Sequence, residues 1–88
     1  MNILVVDDEY FARKAIMQMI RDWDPAAVVH EAEDGQQAWE KLTSVDIDLV
    51  LSDIRMPLVD GMELAARIHE HYPTVANVII SGFDDFRY

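Results

Sequence analysis

Ile3-Leu4-Val5-Val6-Asp7-Asp8 is the stretch that decides the fold, together with a second stretch of the same kind, Leu49-Val50-Leu51-Ser52-Asp53. Each stretch is a short, mostly apolar run that ends in a carboxylate. Continuous runs of this length are typical of strands that are buried on both faces of a parallel sheet. We therefore predict that the acidic residues project from the carboxyl ends of two strands.

If these two strands are neighbours, Asp7, Asp8 and Asp53 meet at the sheet edge where ligands bind in open α/β folds. Two carboxylates about 4 Å apart repel by roughly 4 kcal/mol at an effective dielectric constant near 20. A bound cation or protonation must relieve that repulsion. Oxygen ligands without His or Cys select Mg²⁺, Mn²⁺ or Ca²⁺, and so few carboxylates favour Mg²⁺ with several waters. The spacing leaves equally open that Asp7 and Asp8 only cap the following helix.

The rest of the chain alternates between helical and strand patterns. Helices are predicted from Glu9 to Trp23, from Asp34 to about Thr43, and from Asp60 to the residue before Pro73, with further strands at 28–31 and 78–80. This β-α-β-α-β-α-β order predicts a parallel sheet with right-handed crossovers and helices on both faces. The inward stripe of the first helix is predicted to hold Ala12, Ala15, Ile16, Met19, Ile20 and Trp23, with Arg13, Lys14, Gln18 and Arg21 on the other face.

Composition narrows the class of protein. The 88 residues suffice for one small domain, and the net charge of −10 disfavours nucleic acids and anionic membranes as direct partners of this segment. The absence of Cys excludes disulfides, zinc-thiolate sites and thiol catalysis. The sequence contains neither an apolar stretch of 18 residues nor a secretory leader pattern, so we expect no membrane association and a cytoplasmic location.

Four motifs together resemble a known family. They are Val5-Val6-Asp7-Asp8-Glu9, Ser52-Asp53-Ile54-Arg55-Met56-Pro57, Asp60-Gly61-Met62-Glu63-Leu64 and Ile80-Ser81-Gly82-Phe83. In order and approximate spacing they resemble the receiver domain of two-component response regulators, and the resemblance covers the whole chain. It implies a flavodoxin-like, doubly wound parallel sheet with strand order 2-1-3-4.

The resemblance also implies roles for individual residues. Asp53 would be the phosphoacceptor, which takes a phosphoryl group from a sensor histidine kinase. Mg²⁺ would be bound by Asp8, Asp53 and the backbone carbonyl of Arg55, and by Asp7 through a water molecule. Two further residues complete the set: Ser81 would be the switch hydroxyl that turns toward the phosphoryl oxygens, and Gly82 would leave room for the phosphoryl group.

The sequence departs from the family at its end. A receiver continues through a fourth helix, a fifth strand that ends in a Lys, and a fifth helix. We therefore expect residues 1–88 to be the N-terminal part of a single, incomplete receiver domain, with the fifth strand and last helices missing. The fourth strand would then be an apolar edge, and we expect the segment to form a homodimer or swapped oligomer.

The stretch Ser81-Gly82-Phe83-Asp84-Asp85-Phe86 resembles receivers whose parent regulators carry C-terminal helix-turn-helix domains. This likeness points to transcription control, with DNA contacted only through that absent domain. The receiver resemblance as a whole implies a phosphoacceptor rather than an enzyme. One alternative is a phosphorylation-independent dimerisation or interaction module, which millimolar Mg²⁺ would not stabilise. Another is a haloacid-dehalogenase-type phosphatase, but that family needs a second Asp two residues after the first, where this chain has Arg55.

Overall fold

Strands and helices alternate along the chain as predicted. The computed structural model describes residues 1–53 and 61–80. The elements in these residues are β1 (Asn2–Val6), α1 (Tyr10–Trp23), β2 (Val28–Ala32), α2 (Gly35–Ser44), β3 (Leu49–Asp53), α3 (Gly61–His71) and β4 (Ala76–Ile80). The last of these strands begins two residues earlier than the apolar pattern indicated. None of the helices within the described ranges is long and apolar enough to cross a membrane.

The strands form a parallel sheet in the order β2-β1-β3-β4, which confirms the predicted fold. β1 lies inside the sheet and pairs with β2 along its whole length and with β3 from Ile3↔Leu49 to Val6↔Ser52. β4 pairs with β3 from Leu49↔Ala76 to Asp53↔Ile80. The more polar strand β2 lies at an edge of this sheet.

Helices cover the two faces of the sheet unequally. Alternate residues of β1 point to opposite faces. Leu4 and Val6 pack with buried residues of α2 and α3, whereas Ile3 and Val5 pack with α1. On the α1 side, Val78 of β4 remains 48% exposed. Two helices thus cover one face, and within the described residues α1 covers the other.

The inward face of α1 differs from the predicted stripe. Its buried residues are Arg13, Met17 and Ile20. Three residues that were expected to point inward are exposed: Ala15, Met19 and Trp23. The exposed fraction of Trp23 is 75%. Because apolar residues surround much of this helix, periodicity did not fix its rotation. That rotation follows instead from the contacts of Arg13 with the carbonyl of Asp7, just after β1, and with Glu31 of β2.

The beginning of α2 shows how side chains satisfy a helix terminus. Asp34 Oδ1 accepts a hydrogen bond from the backbone N–H of Gln37 at 2.8 Å. Gln37 Oε1 accepts from the N–H of Glu33 at 2.9 Å, so the reciprocal bond of the capping box falls one residue before the N-cap. Asp60, at which the third helix was predicted to begin, lies outside the described residues.

Two polar side chains on the α2–α3 face of the sheet have no hydrogen-bond partner among residues 1–53 and 61–80. They are the Ser52 hydroxyl and the Asn77 amide, whose polar atoms are all buried. Asn77 lies opposite Val50, which is fully buried in the core against α2 and α3. Buried polar groups usually have hydrogen-bond partners, because burying an unpaired one lowers the stability of the folded state. An apolar substitution at either site should therefore stabilise the fold.

Candidate functional site

The turn between β1 and α1 carries the acidic pair, and three hydrogen bonds hold its first residue. The backbone N–H of Asp7 donates to the carbonyl of Ala32 at 3.1 Å, which extends the β1–β2 ladder by one residue. The carbonyl of Asp7 accepts from Arg13 Nη1 at 2.9 Å, and its Oδ1 accepts from the N–H of Glu9 at 2.9 Å. Asp7 is buried and Asp8 is exposed, so the pair has one fixed and one solvent-facing member.

The helix-capping alternative for the acidic pair is only partly met. The N-cap of α1 is Glu9, and its side chain makes no capping hydrogen bond. Asp7 accepts a hydrogen bond from that N-cap residue, one position before the helix begins. The local role of Asp7 is therefore to shape the turn that presents Asp8.

The register of the sheet brings the end of β3 beside this turn. Val6 pairs with Ser52, so Asp7 and Asp53 each follow a paired residue by one position on adjacent parallel strands. Parallel neighbours lie about 4.8 Å apart, so the two backbones leave the sheet side by side. The placement of Asp53 on the strand next to the acidic pair is what the sequence predicted.

The structure does not test the other predicted site residues. Arg55, Ser81 and Gly82 lie outside the described residues, and of Asp53 the structure describes the backbone. Within the described side chains, no three His, Asp or Glu residues form a group that could hold a metal ion. The roles of these residues therefore stay predictions.

A charged network links α1 to β2 directly behind the acidic turn. The Arg13 side chain is 5% exposed, and its Nε donates to Glu31 Oε1 at 2.8 Å. Lys14 Nζ donates to the other oxygen, Oε2, at 2.6 Å. The hydrogen bond from Lys14, followed by the one from Arg13, lowers the pKa of Glu31 below its ordinary value. A second acid, Glu33, lies 3.9 Å from Arg13 Nη2.

Sequence reasoning missed this network. Arg13 was assigned to the solvent face of α1, and it is instead among the most buried polar residues of the described chain. Its acidic partner Glu31 is 18 residues away, so helical periodicity contains no signal for the pair. The Arg five residues after the acidic pair gave no hint either, because it binds a backbone carbonyl there and pairs with Glu31 instead.

The donor set at this edge suits a hard divalent cation. Asp7 and Asp8 supply carboxylate oxygens on consecutive residues, and the register adds an aspartate on the next strand. His and Cys, which would favour zinc or copper, are absent from both motifs. The buried Arg13 donates to Glu31 and to the backbone carbonyl of Asp7.

The comparison with protein families agrees with this architecture. Residues 3–88 match the family model of the response regulator receiver domain. The chain belongs to that family. The receiver resemblance of the four sequence motifs is thereby confirmed, together with the flavodoxin-like strand order.

Individual relatives add detail. The chain is 37% identical over 87 residues to the positive alginate biosynthesis regulatory protein of Pseudomonas aeruginosa, covering 98% of this chain and 35% of that protein. The structure of a two-component transcriptional regulator AraC from Clostridium phytofermentans has 32% identity and a TM-score of 0.84, covering 100% of this chain and 72% of that one. Other relatives are protein-glutamate methylesterases.

A further solved structure contains ligands. The response regulator TrrA from Thermotoga maritima, solved in complex with Mg²⁺ and BeF, has 30% identity and a TM-score of 0.86, covering 98% of this chain and 73% of that one. The chain spans about a third or less of several curated relatives that it matches. The shared segment is thus the receiver, and the relatives differ in what accompanies it.

Proposed function

We propose that this receiver chain accepts a phosphoryl group on Asp53 in a Mg²⁺-dependent reaction. The observation that carries the proposal is the Val6↔Ser52 register, which sets the backbone of Asp53, the last residue of β3, beside the acidic turn after β1. A carboxylate oxygen of Asp53 would attack phosphorus while the P–N bond of a phosphohistidine breaks. The kinase histidine, which carries a proton on its other ring nitrogen, keeps the electron pair of the P–N bond and leaves as the neutral imidazole, and Asp53 becomes an acyl phosphate.

The other site residues receive supporting roles in the same proposal. Mg²⁺ would be held by Asp8, Asp53 and the carbonyl of Arg55, with Asp7 acting through water, and when bound it would neutralise charge on the phosphoryl oxygens. Ser81 would donate a hydrogen bond to those oxygens, and Gly82 would leave space beside them. The oxygen-only donor set and the fixed orientation of Asp7 support this assignment.

The reaction chemistry also defines the partners. The phosphoryl donor would be a sensor histidine kinase, and the chain would act as an acceptor rather than as an enzyme with turnover. A kinase histidine of this kind would be phosphorylated by ATP. We therefore propose that the reaction takes place in the cytoplasm, where ATP is available. Control of transcription is proposed because the Clostridium phytofermentans neighbour is a transcriptional regulator. DNA would be contacted through a further domain, since this segment carries a net charge of −10.

Labelling by acetyl phosphate tests the proposal. The wild-type chain should gain a phosphoryl group, measured as a mass increase, in the presence of Mg²⁺ and not in excess EDTA. Asp53→Asn should abolish the gain. Asp46→Asn is the matched control, because Asp46 is an exposed aspartate just before the amino end of β3, and its variant should label as wild type does. Undiminished labelling of Asp53→Asn, or labelling in EDTA, would refute the assignment.

A second proposed role, association between copies, rests on the exposed apolar side of β4. Val78 shares the α1 side of the sheet with its partner Leu51 and is 48% exposed. We propose a homodimer or swapped oligomer that covers this side. Light scattering after gel filtration should show a concentration-dependent mass that Val78→Lys reduces. Val28→Lys, at a 53% exposed position on β2, is the control and should leave the mass unchanged. A monomeric wild type at 100 μM would refute the role.

A further inference from the structure

Arg13 is a buried cation directly behind the acidic turn. Arg13 is 4% exposed, and its guanidinium donates hydrogen bonds on two sides. Nη1 donates to the backbone carbonyl of Asp7 at 2.9 Å, and Nε donates to Glu31 at 2.8 Å. A buried guanidinium is tolerated only when it is paired and hydrogen-bonded. Its position, and therefore that of the Asp7 carbonyl, is closely determined.

We infer that Arg13 is a positioning residue for the acidic pair, fixing the direction in which Asp8 leaves the end of β1. The inference rests on the proposed function, because it concerns the same carboxylates. The carbonyl that Arg13 binds belongs to the peptide between Asp7 and Asp8. That peptide is planar, so holding its oxygen orients the whole plane and sets the place of the next Cα.

The surroundings of Arg13 explain why a planar fork is needed there. Glu31 takes Arg13 on one carboxylate oxygen and Lys14 on the other, which locks the carboxylate in one orientation. The Tyr10 ring lies with its centroid 5.5 Å from the Arg13 guanidinium carbon. A guanidinium donates from several nitrogens along fixed directions, so it can reach β2 and the turn at once. The donors of an ammonium all leave one nitrogen atom, which cannot lie close to both acceptors.

Charge and position make opposite predictions for Mg²⁺ binding. Arg13 is a cation close to the proposed cation site, so its removal should tighten Mg²⁺ binding if only its charge matters. If it positions Asp8, its removal should weaken binding. Lys14 separates the two effects. Its ammonium also binds Glu31, but it donates to that carboxylate rather than to the Asp7 carbonyl.

Calorimetric titration of the chain with MgCl₂ tests this inference, and urea denaturation of each variant measures stability in parallel. Arg13→Gln should raise the Mg²⁺ Kd about tenfold, the lower end of the range for residues that orient metal ligands. Lys14→Gln should leave the Kd unchanged or lower it. A purely structural role would lower the stability of Arg13→Gln without changing the Kd of the folded protein. Equal Kd values for Arg13→Gln and Lys14→Gln would overturn the inference.

Asp8→Asn distinguishes this inference from the proposed site itself. If Asp8→Asn loses Mg²⁺ binding while Arg13→Gln retains wild-type affinity, the positioning role alone is wrong. If the wild type takes up no Mg²⁺, or Asp8→Asn binds as tightly as the wild type, both proposals are wrong. Should Arg13→Gln not fold, Arg13→Lys keeps the charge but loses the second donor direction. It should also weaken binding, and a wild-type Kd for that variant would overturn the inference.

Discussion

Replacing Asn77 with Val should stabilise this receiver, although it removes a polar side chain from the sheet. Both polar atoms of the amide are buried without a hydrogen-bond partner, and the residue lies opposite the fully buried Val50. Burying an unpaired amide costs about 1–3 kcal/mol in mutational series. Val also suits a strand better than Asn, on a scale that spans about 1 kcal/mol. We therefore expect a gain of about 2 kcal/mol.

The chain supplies a matched control, because it contains a second strand asparagine with the opposite environment. Asn2 Nδ2 donates to the carbonyl of Asp46 at 3.2 Å, and its Oδ1 lies 3.2 Å from His30 Nε2. Asn2→Val should therefore lose about 1 kcal/mol. The two substitutions are chemically identical, so opposite signs would isolate hydrogen-bond satisfaction as the cause.

Urea denaturation followed by circular dichroism measures both variants. With m near 2 kcal/mol/M for a chain of this size, Asn77→Val should raise the midpoint by about 1 M at unchanged m. The melting temperature should rise by about 4–8 °C for each kcal/mol gained. A loss of about 1 kcal/mol or more in Asn77→Val would show that the amide has a partner, such as an ordered water, and would refute the reasoning.

Two predictions concern pH. The pKa of Glu31 is lowered by its hydrogen bonds from Lys14 and then Arg13, so the folded state gains stability above the ordinary value of 4.5 and loses it as pH falls through the lowered one. Glu31→Gln should flatten the stability curve below about pH 4.5, and an unchanged acid limb would contradict this. Burial, followed by the charge of Lys41, lowers the pKa of His30 from 6.5, so protonating it favours unfolding as pH falls below that value. Lys41→Gln should raise the pKa of His30 in an NMR titration, and a constant or lower value would rule out the charge effect.

The strands and their order could be predicted because the deciding information is local. Apolar runs that end in Asp mark β1 and β3, and the β-α alternation leaves few topologies open. The faces of α2 and α3 that pack on the core were also predictable, since each helix carries one clear apolar stripe. These stripes contain Leu42, Leu64 and Ile68. Placing the third aspartate beside the acidic turn followed from the strand order.

The rotation of α1 and the orientation of the acidic turn were not predictable in the same way. Met19 and Trp23 look like core residues by spacing, yet they are exposed. Arg13 occupies the inner face instead, through partners in the turn after β1 and on β2. A pairing across 18 residues leaves no periodic trace in one sequence. The sequence also does not indicate that the Asn77 amide is unpaired. Its pairing depends on whether neighbouring elements in the fold provide a hydrogen-bond partner.

The central place of β1 has a consequence for dynamics. Its amides and carbonyls are shared with strands on both sides, whereas β4 bonds to β3 alone within the described sheet. Hydrogen exchange should therefore be slowest in β1 and markedly faster in β4. A transient detachment of β4 would leave the Asp7–Asp8 peptide and its guanidinium anchor intact. The end of the receiver that is proposed to bind Mg²⁺ can then stay rigid while β4, the strand that leads toward the proposed switch hydroxyl, opens and closes independently.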